Sequence, residues 1–308
     1  VLKSDKVAKL TIVSKEGAAV NKSRTSIGVM FNTDRLPGPS LVKFAQHLES
    51  ISIDTLWVTE LFGREPFATS GHLLAKTERL RIATGIANVY ARDAVAAAAG
   101  AQTLSEFSDG RFVLGLGVSN AGLANARGHV WEPPVEKLVS YVKAVRAAQV
   151  SVPGSQKAQI HVAAHGPKML EAMHQLADGI STFLQTPDHT AMVRQRIPEK
   201  SSLNVSQMCL LCDEPLEARR LARRALGVYM GLQYYHRAWR TLGFDDADFT
   251  GGGSDRLIDA LVAWGTREAI SERLTQHGEA GATELVVIPL NPTGGAEPHM
   301  PLLEGLAQ

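Results

Sequence analysis

From Ser26 onward the sequence alternates short β-branched runs with amphipathic or alanine-rich stretches, and this rhythm constrains the fold more than any single motif. Eight runs read as strands: Ile27–Phe31, Thr55–Thr59, Leu80–Ile86, Phe112–Gly117, Gln159–Ala164, Ile180–Phe183, Asn204–Cys212 and Glu284–Ile288. Phe112–Gly117 is apolar almost throughout, as suits a parallel strand covered on both faces. Between strands, Leu41, Phe44, Ala45 and Leu48 fall at i, i+3, i+4 and i+7 and make one apolar helical face. Ala94–Phe107 is an alanine-rich helix able to lie close against a wall of strands. No dinucleotide fingerprint occurs near the start, so the alternation predicts an α/β fold closed as a TIM (β/α)8 barrel rather than an open doubly wound sheet. One barrel of about 250 residues with insertions accounts for the length. The irregular helical region after Pro215 reads as a helical insertion near the C-terminal third. Residues 26–308 are therefore expected to form a single domain, with residues 1–25 an N-terminal extension to which no function is assigned.

Composition limits the partners. With 44% hydrophobic and 20% charged residues and a formal net charge of +1, the chain lacks the basic excess that nucleic acid or anionic lipid requires. It has no apolar run of about 18 residues, and Val1–Arg24 carries scattered lysines without an apolar stretch. These features predict no membrane span, no export signal and a cytoplasmic location. Cys209 and Cys212 form a C-L-L-C pair, but no second pair or histidine cluster completes a ligand set, so structural thiols and no metal site are expected.

In a β/α barrel the chemistry sits on the loops that follow the strands. The loop A-A-H-G-P-K-M, Ala163 to Met169, joins a glycine that permits close backbone approach to a proline suited to a first helical turn, with Lys168 adding positive charge. Such a turn offers free N–H groups to a phosphate; it is also a common way to pass from strand to helix. G-L-G-V-S-N, Gly115 to Asn120, matches half of a dinucleotide fingerprint but lacks the third glycine.

Taken together, the stretch E-R-L-R-I-A-T-G-I-A-N-V-Y-A-R-D-A-V-A-A-A-A-G-A-Q-T-L-S-E-F-S-D-G-R-F-V-L-G-L-G-V-S-N, D-T-L-W-V-T-E at Asp54 to Glu60, A-A-H-G-P-K-M-L with A-D-G at Ala177 to Gly179, and G-G-G-S-D-R-L-I-D-A-L-V-A-W-G at Gly251 to Gly265 resemble the luciferase-like monooxygenase superfamily. The resemblance is nearer to its coenzyme F420-dependent oxidoreductase branch and spans most of the chain from Ser26 to Ile288. It implies an enzyme that transfers a hydride between the deazaflavin and a small organic substrate, and it implies a homodimer. An FMN-dependent monooxygenase of the same superfamily and a non-catalytic flavin or deazaflavin binding protein are the alternatives.

The resemblance also implies roles for particular residues. Gly85 and Ile86 match a non-prolyl cis-peptide bulge behind the cofactor ring, and Asn88 lines the same pocket. Val118, Ser119 and Asn120 match the loop beside the ring, while Ala163, Ala164, His165, Gly166, Pro167 and Lys168 match the phosphate turn. Glu60 is the best placed proton donor or acceptor. Several sugar-phosphate dehydrogenases of the superfamily carry an Asp-His pair where this chain reads Glu60-Leu61, which counts against their substrate here. A carboxylate that simply pairs with Arg64 or Arg92 is the alternative for Glu60. Tyr90 and Arg92 are expected on the substrate side, with an Arg92 ion pair to Asp93 or Glu60 as the other reading. His72, His129 and His165 are expected near the mouth. Aromatic residues from Tyr229 to Phe249, followed by Gly251, Gly252 and Gly253, read either as packed helices or as a hinged lid. Arg219, Arg220, Arg223 and Arg224 read as a solvated basic helical face, with Glu217 paired to Arg220.

Overall fold

The computed structural model describes residues 25–153 and 157–307. Of the N-terminal extension expected at residues 1–25, residues 1–24 lie outside the described residues. The strands are β1 (Ser26–Phe31), β2 (Thr55–Val58), β3 (Arg81–Thr84), β4 (Ala87–Asn88), β5 (Phe112–Gly117), β6 (Gln159–Ala163), β7 (Gly179–Phe183), β8 (Ser202–Leu211), β9 (Val262–Gly265) and β10 (Glu284–Leu290). The helices are α1 (Gly38–Ser50), α2 (Pro66–Leu74), α3 (Ala94–Phe107), α4 (Ala121–Ala126), α5 (Pro134–Ala147), α6 (Pro167–Met173), α7 (Pro187–Arg194), α8 (Pro215–Leu226), α9 (Gln233–Arg240), α10 (Asp255–Leu261), α11 (Arg267–Glu279) and α12 (Met300–Leu306).

All strand pairings are parallel, in the order β10-β1-β2-β3-β5-β6-β7-β8, and β10 pairs back onto β8 to close the ring. This is the closed TIM (β/α)8 barrel the alternation predicts. Two details differ from the sequence reading. The single run Leu80–Ile86 is two pieces, because the backbone leaves β3 at Gly85 and rejoins the sheet as β4 against β5. An additional strand, β9, pairs with the far end of β8 from Met208 to Leu211.

The apolar faces of the helices pack on the outside of the barrel. Leu41, Phe44, Ala45 and Leu48 of α1 are buried, as their spacing requires. Prolines in the first turn start α1, α2, α5, α6, α7, α8 and α12, where a missing N–H costs nothing. Inside the barrel a separate small cluster joins Trp57, Ala83, Val113 and Val286, with Met30 packed against it. One large ring fills a lumen lined by small residues: a Cβ on Gly28 would stand 3.0 Å from Trp57 Nε1, and one on Gly85 would stand 3.0 Å from Trp57 Cβ. Trp57 Nε1 donates to the buried Glu284 carboxylate at 3.2 Å.

The insertion α8 to α10 forms a second core around Trp239, with Leu221, Leu226, Tyr235, Phe244, Leu257 and Leu261. Tyr229 and Tyr235 pack edge-on to Phe183 at the end of β7. The aromatic run is thus packed helix, the first of its two sequence readings. The basic face of α8 is also less solvated than predicted, since Arg219 and Arg223 pair with Asp255 and Asp259 of α10, while Arg220 pairs with Glu217 as its spacing predicts. No helix among the described residues is long and apolar enough to cross a membrane. Cys209 is buried and Cys212 partly so, and both thiols are free.

Candidate active site

The residues singled out above gather at the carboxyl ends of the strands. Thr84 closes β3, its Oγ1 donating to the Gly115 carbonyl at 2.7 Å. The two strands approach so closely that a Cβ on Gly115 would sit 1.9 Å from Thr84 O. The next peptide bond, Gly85–Ile86, is cis, as the resemblance implies. Ile86 packs on β5: a Cβ on Gly117 would lie 1.8 Å from Ile86 Cδ1 and 3.4 Å from Ala163 Cβ. The Ile86 side chain therefore lies across Gly117 toward β6, and both bulge residues remain partly exposed. Glycine at 115 and 117 serves this close approach.

Beside the bulge, Glu60 is held from three directions. Its Oε2 accepts from the Asn88 amide at 2.7 Å and from Arg92 Nη1 at 3.0 Å, while Oε1 accepts from Arg92 Nη2 at 2.8 Å. Arg127 Nη2 stands 3.8 Å from Oε1, and the Glu60 side chain is 5% exposed. Both carboxylate oxygens are committed to the guanidinium fork, so this geometry supports the ion-pair reading over that of a proton carrier. The partner is Arg92. Arg64 instead donates to the carbonyls of Thr33 and Leu36. Arg92 also meets Glu65 at 2.9 Å and lies 4.7 Å from the Phe67 ring centroid, so its donors are turned into the protein rather than toward a substrate. Asn88 is buried and spends its Oδ1 on the Tyr90 amide at 2.9 Å. Tyr90 is buried beneath the segment after α4, stacked on Trp131, with its hydroxyl accepting from the Glu132 amide at 3.0 Å.

Across the mouth, β6 delivers the Gly166 turn. Ala163 is partly exposed; Ala164 is buried, and its amide donates to Ser181 O at 3.1 Å. Gly166 precedes α6, Pro167 is its first residue, and a Cβ on Gly166 would meet nothing within 4 Å. Lys168 is exposed on the first turn. His165 is fixed from behind: its Nδ1 accepts from the Phe183 amide at 3.5 Å, and its carbonyl accepts from His189 Nε2 at 2.9 Å. Burial, with His189 adding to it, pushes His165 down to about 3, and burial also lowers His189. Both rings are therefore neutral at pH 7, and His165 orients its loop rather than exchanging protons there.

On β5 the loop Val118, Ser119 and Asn120 is partly exposed at the rim. Ser119 has a φ of 61°, a left-handed conformation uncommon outside glycine, and Asn120 caps α4 by accepting from the Leu123 amide at 3.0 Å. His129 is exposed on the Tyr90 ring, whereas His72 is exposed on α2 within the helical shell. Sequence reasoning missed His189 and Arg127. Their contacts join elements 24 and 66 residues apart, and no local pattern marks them.

The family model for luciferase-like monooxygenases matches residues 25–284. The chain belongs to that family. It is 24% identical over 303 residues to a 5,10-methylenetetrahydromethanopterin reductase of Methanolobus tindarius, covering 83% of this chain and 93% of the relative. Among solved structures it resembles the coenzyme F420-dependent tetrahydromethanopterin reductase of Methanopyrus kandleri (TM-score 0.69, 14% identity, 93% of this chain and 98% of that one). It also resembles the oxygenating constituent of 3,6-diketocamphane monooxygenase of Pseudomonas putida, solved with FMN (TM-score 0.64, 17% identity, 92% and 97%). These likenesses establish the luciferase-like barrel as the fold.

Proposed function

We propose that the mouth of this barrel binds coenzyme F420 and that the protein is an oxidoreductase moving a hydride between the deazaflavin and a small organic substrate. The observation that carries the reading is the Ile86 side chain laid across Gly117. It provides a partly exposed apolar shelf beside Gly117, against which a planar ring is to lie. Opposite it, the Gly166 amide donates to no described residue, and the space above Gly166 is open to a phosphate. The names of three similar proteins, an F420-dependent oxidoreductase, an F420-dependent reductase and an F420-dependent dehydrogenase, support the same cofactor.

When bound, the deazaflavin supplies two-electron hydride chemistry and reacts poorly with oxygen. The protein's own part is positional. Gly85, Ile86, Val118 and Ser119 back and border the ring, while Ala163, His165, Gly166, Pro167 and Lys168 hold the anionic tail. The Glu60–Arg92 pair fixes Asn88 and, through it, the segment that carries the bulge. Homodimerisation belongs to the same reading, supported by Val95 and Phe107, apolar yet exposed on α3; sedimentation velocity tests it.

Titration of the protein with F420 and with FMN, followed by quenching of cofactor fluorescence, tests the assignment. Saturable quenching of F420 with turnover of an enone, imine or alcohol is the expected result. Binding of FMN alone would move the protein to the monooxygenase alternative, tight F420 binding without turnover to the binding-protein alternative, and binding of neither would end the proposal.

A further inference from the structure

Arg127, at the end of α4, uses few of its donors. Nη2 donates to the Leu61 carbonyl at 2.6 Å, and the next approach is the 3.8 Å gap to Glu60, beyond hydrogen-bond reach. Its Nε is buried with no partner. Glu60 does not need it, because Arg92 already engages both carboxylate oxygens. Nor does Glu65 add demand on Arg127, since it caps α2 by accepting from the Ala68 amide and also meets Arg92. A half-buried guanidinium with unsatisfied donors is rare, because leaving such donors unpaired is costly.

Besides the Glu60 carboxylate, this guanidinium has an aromatic neighbour. Arg127 lies 5.8 Å from the Phe62 ring centroid, and Phe62, Leu61 and Val130 are 68%, 42% and 82% exposed. Leu61 and Phe62 follow β2 and Glu60, and Arg127 reaches both from the end of α4, so these three belong to the rim beside Glu60. A planar cation over an aromatic face keeps its N–H groups in the plane, while the rest of the ring stays free as a platform.

We propose that Arg127 sets substrate specificity and that the substrate bears a carboxylate on an apolar, planar body. The carboxylate takes Nη1 and the second N–H of Nη2 of Arg127, and the body lies against Phe62. This inference rests on the mouth being the substrate site, and its test does not use catalysis.

Benzoate and benzamide, equal in shape and different in charge, are the probes, and their binding to the protein is measured by ligand-observed NMR or calorimetry. Benzoate should bind at least about tenfold tighter than benzamide. Arg127→Gln should remove that preference and leave benzamide unchanged, because a charge-assisted bidentate contact is what the variant loses. Phe62→Ala should weaken both probes alike. Absent benzoate binding, equal affinity for the two probes, or undiminished benzoate binding by Arg127→Gln would each overturn the inference. A protein that discriminates the probes but fails to bind F420 would retain this inference and lose the cofactor assignment.

Discussion

At the scale of single residues, the lumen works by what its glycines leave out. A Cβ on Gly179 would come within 2.7 Å of the His161 ring, which is itself held by Asn204 through a 2.7 Å hydrogen bond to Nδ1. The ring has nowhere to retreat, so Gly179→Ala should destabilise the fold by about 1–3 kcal/mol, the usual cost of overpacking. An unchanged urea midpoint would show the lumen to be slack. Gly117→Ala acts differently, because the atom it would strike is the far end of Ile86. The barrel should survive while the shelf shifts, and F420 affinity should fall about tenfold; a titration matching the parent protein would remove Ile86 from the site. The sequence marks G-L-G-V-S-N only as half of a dinucleotide fingerprint. In the fold, Gly115 admits the Thr84 carbonyl and Gly117 admits Ile86. Only the pairing of β3 and β4 with β5 exposes that use, and pairing between distant segments is invisible to local pattern.

Among elements, the eight barrel strands are legible because each is buried on both faces and reads as a short apolar run. β9 is hidden for a physical reason: Leu257, Ile258, Leu261 and Val262 keep helical spacing straight through the junction, so α10 and β9 read as one element. The split of the third run at Gly85 is legible only through the family resemblance, since the apolar pattern does not break there. The insertion is legible as helix, but its attachment is not. Trp239 of α9, fully buried, donates Nε1 to the Leu184 carbonyl at 2.9 Å, one residue past β7. Trp239→Phe keeps most of the ring and leaves that carbonyl without its donor, so a loss of about 1–3 kcal/mol is expected in thermal or chemical unfolding. Tyr235 stacks on Trp239 and lies 5.8 Å from His165, so the same variant should also loosen the Gly166 turn. Unchanged hydrogen exchange at the amides of Ala164 and Leu170, which donate to Ser181 O and Gly166 O, would separate the insertion from the cofactor site.

For the whole molecule, the buried histidines set how stability follows pH. Burial lowers His161 to about 4 and His277 to about 3, from an ordinary 6.5. In the unfolded chain these rings take up protons below about 6.5, whereas in the fold they stay neutral until the pH is much lower. The unfolded state therefore binds more protons between those limits; stability is fully present above 6.5 and declines as pH falls through the folded values, by about 1.4 kcal/mol per unit for each ring. Glu284 works in the opposite sense, because burial raises its carboxyl and its cost grows as pH climbs above 4.5. His277 is the clearer probe of the acid side. Gln207 Nε2 donates to the Met208 and Leu261 carbonyls, so its Oε1 accepts from His277 Nε2 at 3.0 Å, which leaves His277 Nδ1 to accept from Thr190 Oγ1 at 2.8 Å. This chain ties α7, α11 and β8 together only while the ring is neutral at Nδ1. Urea midpoints should thus fall steeply between pH 6.5 and 4 in the parent protein. His277→Gln should be less stable at pH 7.5 yet lose less on acidification, and parallel pH profiles for the two proteins would mean that the proton is taken up elsewhere.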